Sequence, residues 1–82
     1  MNYSMDWNNR VRRYIRAEMV KRGVTYGELT DKLHELGCNY SKASIETKVF
    51  RGSFSASFFM QCLAALNCEE LSIKEFSGLG NE

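Results

Sequence analysis

The sequence has no proline, and its apolar residues recur mainly at helical and not alternating spacing, so no half-buried strand is expected. No apolar run approaches the roughly 20 residues needed to cross a bilayer. The opening MNYSMDWNNR has no apolar core of the signal-peptide kind, so a cytoplasmic protein without membrane contact is expected. Cysteine is scarce and odd in number. Cys38, Cys62 and Cys68 show no CxxC spacing, which argues against a disulfide framework and for a reducing compartment.

Histidine occurs once, at His34. There is no glycine-rich phosphate loop and no nucleophile set beside a base in a recognisable motif, so neither an enzyme nor a cofactor is expected. His34 and Cys38 lie four apart, a spacing that could put two metal ligands on one helix face. A structural zinc site needs four, and Cys62 or Cys68 would have to complete an unsupported set. No metal is expected; Cys62 reads as a small core residue and His34 as exposed.

What is present is 82 residues, 44 % hydrophobic and 26 % charged, the composition of one small globular domain. The net charge of +1 hides an uneven distribution. Residues 1–24 and 41–55 are basic, whereas residues 25–40 and 56–82 are acidic. Such a field can steer an anionic partner even when the total is near zero.

Apolar residues recur at helical spacing between glycines, so the chain reads as all-α, a compact bundle of about five helices. Asp6 is the expected cap of a first helix reaching Arg22, with Val11, Ile15 and Met19 on its inner face and Gly23 as the stop. TYGE, residues 25–28, is a capping box for a second helix that turns Leu29, Leu33 and Leu36 inward and stops at Gly37. Ser41 caps a third helix ending before Gly52. Ser55 caps a fourth, apolar nearly all round and therefore expected at the centre. SIKE, residues 72–75, opens a short fifth helix. One domain spans 1–82, with a core of about 7–76 and a frayed tail at 77–82.

The second and third helices are separated only by GCNY, a short glycine-bearing join of the helix-turn-helix kind. GVTYGELTDKLHELG, an isoleucine-bearing helix, Arg51-Gly52 and an apolar helix ending LAALNCEEL together resemble the Cro/lambda-repressor (Xre-like) helix-turn-helix domain over roughly residues 7–76. WNNRVRRYIRAEMVKRGVTYGEL with FRGSFSASFFMQCL is also similar to a group of small uncharacterised bacterial proteins. The resemblance implies a lambda-repressor-like fold and operator binding as a bacterial or phage transcriptional regulator. Tyr26 departs from the family pattern, standing where repressors commonly carry a phosphate-contacting glutamine. Thr30 stands where they carry alanine, and Gly37 to Ile45 is longer than the usual spacing.

At 100° per residue, Ile45 and Val49 define the buried stripe of the third helix. Ala43, Thr47 and Arg51 then point away from it, with Ser44 and Phe50 beside them and Lys42, Glu46 and Lys48 on the flanks. A small, hydroxyl-bearing, cationic face suits the major groove of double-stranded DNA. The candidates for reading bases are Ala43, Ser44, Thr47 and Arg51. Lys42 and Lys48 are candidates for phosphate, as are Thr25 and Tyr26 at the start of the second helix and Ser53 and Ser55 in the turn after Gly52. Glu46 fits beside phosphate only if it accepts from a cytosine amino group, and Phe50 is expected to fold round the helix end to Phe54. Among the arginines of the first helix, Arg12 pairs in spacing with Arg16, and Arg10 with Arg13; one pair is expected to flank DNA or to contact another chain.

One module of this size reads few base pairs, so a homodimer on an inverted repeat is expected. Leu71, Ile73 and Phe76 are the candidate dimer contacts. The competing reading is a protein-interaction module, antitoxin-like or an adaptor, that shares the fold without reading an operator.

Overall fold

The computed structural model describes residues 3–74, and the side chains from residue 7 onward. Four helices follow one another among them: α1 Tyr3–Arg22, α2 Tyr26–Glu35, α3 Lys42–Arg51 and α4 Ala56–Ala65. The described residues contain no strand. The radius of gyration of 12.7 Å compares with about 28 Å for an unfolded chain of this length.

Local chemistry sets most of the boundaries. Thr25 Oγ1 accepts from the amide of Glu28 at 3.1 Å, while Glu28 Oε1 accepts from the amide of Thr25 at 2.9 Å. This reciprocal pair satisfies two of the orphan donors of the first turn of α2. Ser41 and Ser55 cap α3 and α4 in the same way, accepting from the amides of Ser44 and Phe58. Three helices end alike. After α1, α2 and α4 the residues at the left-handed position are Gly23, Gly37 and Asn67, and the next amide reaches back to Met19, Leu33 and Leu63 respectively. These are Schellman closures, which satisfy carbonyls that the helix end leaves open.

The first helix begins earlier than a cap at Asp6 would place it. It includes Tyr3, because nothing between Tyr3 and Asp6 is a glycine or proline that would stop a helix there. A fifth helix is present only as helical conformation at residues 73–74; Glu75 and Phe76 lie outside the described residues.

Ile15 and Met19 from α1, Leu29 and Leu33 from α2, Ile45 and Val49 from α3, and Phe58, Cys62, Ala65 and Leu66 form one core. Each fully buried Ile, Leu or Phe contributes roughly 1.5–3 kcal/mol relative to exposure, so these side chains set how the helices dock. α1 packs on α3, and α2 packs on both α3 and α4. Phe58 meets Tyr40 and Phe54 edge-on, each at 5.1 Å between centroids. The Tyr40 hydroxyl donates to Gln61 Oε1 at 2.8 Å, which ties the α2–α3 join to α4. Burial pushes the Cys62 thiol up to about 12, so it serves as core and not as a nucleophile.

Two expectations about burial are corrected. Leu36 is 53 % exposed, because the backbone has left the helical path at this C-cap and Cys38 packs against the core in its place. α4 is not central. Ala56, Ser57, Met60 and Ala64 leave one of its sides exposed. Three of those residues are small, so composition overstates how much apolar area the helix has to hide.

Candidate nucleic-acid interface

On α3, Ile45 and Val49 are fully buried. The opposite side presents Ala43, Glu46, Thr47, Phe50 and Arg51, all exposed. Ser44 is half-buried, and its amide is engaged by the Ser41 cap. Lys42 reaches Glu46 at 3.9 Å in an exposed ion pair. Lys48 is half-buried, with its Nζ over the rings of Tyr40 and Phe58 at 5.9 Å from each centroid. The two lysines are therefore differently placed: Lys42 stands on the solvent side, and Lys48 leans toward the α2–α3 join.

Phe50 does not fold back to Phe54. Phe54 is occupied by Phe58 and by Phe59, the latter at 6.0 Å. Phe50 instead lies toward α1, where the Arg12 guanidinium stands over its ring at 5.8 Å, and it remains 72 % exposed. One helical turn further along α1, Arg16 stands over Tyr26 at 5.5 Å. Arg16, Tyr26, Glu46, Thr47 and Phe50 line a single open cleft. The first helix, the start of the second and the free face of the third thus meet at one surface.

Sequence spacing offered two arginine pairs on α1; the fold brings Arg12 and Arg16 to this surface. The signal for them was present as an i,i+4 pair, but the rotation of α1 against α3 decides which pair it is. Neither Arg12, Arg16 nor Arg51 has a carboxylate within ion-pair distance among the described residues. Arg12 also donates to Asn9 Oδ1, which helps to hold its side chain.

The start of α2 carries its own anion. Hydrogen bonds from the backbone and hydroxyl of Thr25 hold the Glu28 carboxyl below its ordinary value. That carboxylate already occupies the amide of Thr25, so Tyr26 is the better placed of the two candidates there. Thr30, next along α2, is buried and donates to the carbonyl of Tyr26 at 2.8 Å.

Ser53 and Ser55 are exposed but border a different groove, with Asn8, Val11, Phe54 and Phe59. Gly52 lies at its base with φ +69°. A Cβ there would stand 2.1 Å from the carbonyl oxygen of Asn8, so α3 ends against the backbone of α1. Of the tail candidates, Leu71 is half-buried, Ile73 is exposed, and Phe76 lies outside the described residues. His34 Nε2 is 2.7 Å from the carbonyl of Tyr40, and among the described residues no His, Cys, Asp and Glu are grouped to hold a metal. No described helix is long and apolar enough to cross a membrane.

The far end of α1 has a separate network. Glu18 is buried, with Lys21 and Arg22 each at 3.2 Å from its carboxylate. The Cys68 thiol donates to the same carboxylate at 3.4 Å and accepts from Arg22 at 3.4 Å. Burial works to raise the Glu18 pKa, but hydrogen bonds from Lys21 and Cys68 and the two cationic charges outweigh it and hold the carboxyl below its ordinary value. Burial, then the bond to Glu18, push the Cys68 thiol up. The spacing of Glu18, Lys21 and Arg22 on one helix signals this network in the sequence; the part of Cys68 does not show there.

Comparison with curated proteins and with solved structures finds no match. Residues 7–71 match the family model described as Domain of unknown function (DUF6471), and the chain belongs to that family.

Proposed function

We propose that this protein is a small sequence-specific double-stranded DNA-binding regulator of bacterial or phage type, with α2 and α3 acting as a helix-turn-helix. The observation that carries the reading is the convergence of Arg12, Arg16, Tyr26 and the free face of α3 on one cationic surface. Thr47 and Arg51 read base edges, with Ala43 and Ser44 beside them. Lys42, Arg12, Arg16 and Tyr26 set the protein on phosphates, which fixes register without reading sequence. The protein pairs to cover two half-sites of an inverted repeat, and it acts in the cytoplasm by occupying its operator. Ile73, 60 % exposed, and Leu71 remain the dimer contacts of this reading.

A second reading has its own support. α4 contains no charged residue, yet Met60 on its outer side is 60 % exposed. Such a face suits another protein better than DNA, and a partner protein bound there is compatible with operator binding or could replace it.

The test is selection from a random duplex pool with the purified protein at near-physiological salt. Enrichment of an inverted repeat with half-sites about 10 base pairs apart is expected, and Thr47→Ala with Arg51→Ala should abolish that preference while the protein stays folded. Weak, steeply salt-dependent retention with no enriched sequence would transfer the case to the protein-interaction reading.

A further inference from the structure

Resting on the operator-binding reading, we propose that Phe50 is a specificity-determining residue that reads the 5-methyl group of a thymine in the major groove. The ring is 72 % exposed on the free face of α3, although an aromatic cluster of Phe54, Phe58 and Phe59 lies close by in sequence. Its direction is fixed from the α1 side by the Arg12 guanidinium. A helical side chain tilts toward the N-terminus and covers the preceding turn. For Phe50 that turn contains Glu46 and Thr47, the residues that line the same cleft. The ring therefore borders the same cleft as Thr47, the residue best placed to read bases.

A ligand for this surface has to be anionic where it meets Arg12 and Arg16 and apolar where it meets the ring. Duplex DNA satisfies both conditions. Phosphates run along each edge of the major groove, and the thymine methyl is the apolar group on its floor. Cytosine has no such methyl, so contact with Phe50 favours an A·T pair at one position of each half-site. An acidic protein with an apolar anchor would also meet the charge requirement, but it would give no sensitivity to a single base methyl.

The experiment uses the duplex recovered from the random pool. Each thymine is replaced in turn by deoxyuridine, which removes the methyl and keeps the base pairing. Affinity is then measured by fluorescence anisotropy for the wild type, Phe50→Ala and Val20→Ala, the last an exposed apolar residue of α1 outside the cleft. Wild-type affinity should fall about fourfold at one thymine per half-site, the effect of uncovering one methyl group. Phe50→Ala should lose that sensitivity, and Val20→Ala should keep it. If no replacement matters to the wild type, or if Phe50→Ala keeps the sensitivity, the assignment of Phe50 is overturned while operator binding stands. If the pool yields no enriched duplex, the operator reading fails and this inference falls with it.

Discussion

Along α1, Arg12 and Arg16 stand over the rings of Phe50 and Tyr26, whereas Lys21 and Arg22, little more than a turn beyond Arg16, close on the carboxylate of Glu18. By charge alone the two groups are equivalent, and both belong to the basic N-terminal segment. Their neighbours separate them. A cation paired with a buried carboxylate has its field largely cancelled, and moving it costs that pairing. A cation over an aromatic face keeps its charge available and has only its direction fixed. A count of basic residues therefore overstates the surface that can meet an anion, and the internal partner of each one decides.

Displacing the end of α1 that packs against the end of α3 should remove the Arg12 arrangement altogether. Gly52→Ala combines left-handed backbone, costing about 1–2 kcal/mol for a residue with a Cβ, with collision against the Asn8 carbonyl, which is backbone and cannot swing aside. Stability should fall by several kcal/mol in urea denaturation. A variant as stable as the wild type would mean that α3 does not end against α1, and the placement of Arg12 over Phe50 would go with it.

A more selective test exchanges the two cation pairs. Arg12→Ala with Arg16→Ala should weaken binding to the selected duplex by on the order of tenfold or more and lower the slope of log affinity against log salt by about 2. Lys21→Ala with Arg22→Ala should leave affinity and slope within about twofold, with folding monitored by circular dichroism. Equal losses in the two double variants would show that the whole helix contributes through general charge.

The Glu18 network at the far end of α1 should contribute stability with a defined pH dependence. Glu18→Gln should destabilise the protein by about 1–2 kcal/mol at neutral pH, between the values for charged hydrogen bonds and exposed pairs. Because the folded-state pKa of Glu18 lies below the ordinary value of 4.5, its contribution is complete above that value. It is lost as pH falls through the lower folded value. Denaturation midpoints of the two proteins should therefore converge in acid. A gap that is constant with pH would mean that the carboxylate charge is not what matters.

The elements that could be read in the sequence are those governed by neighbours a few residues away. Thr25, Ser41 and Ser55 cap helices, Gly23, Gly37 and Gly52 end them, and Ile45 with Val49 is the buried stripe of α3, all on local grounds. What could not be read depends on how one helix is rotated against another. Leu36 keeps the periodicity of α2 but falls at its cap. Phe50 was free to turn toward Phe54 or toward Arg12, and spacing alone does not choose between them. The approach of Gly52 to Asn8 joins positions 44 residues apart. The composition of the candidate surface on α3 was therefore legible, and the choice of which arginine pair of α1 joins it was not.

A smaller effect is expected at Glu46, the carboxylate on the free face of α3. Glu46 lies on the exposed side of α3 and lines the same cleft as Thr47 and Arg16. Its pair with Lys42 is long and exposed, so Glu46→Gln should change stability by no more than about 1 kcal/mol. Binding separates two roles. If Glu46 only repels phosphate, the variant should bind all duplexes about two- to threefold more tightly, with a steeper salt dependence. If the carboxylate accepts from a cytosine amino group, the variant should lose preference at one base pair and leave the others unchanged. Repeating the pool selection with the variant distinguishes these outcomes. A uniform gain would make Glu46 the residue that keeps Arg12 and Arg16 from holding any duplex indiscriminately, and it would join the two halves of α1 in one scheme: carboxylates on this protein restrain cations, inside at Glu18 and at the surface at Glu46.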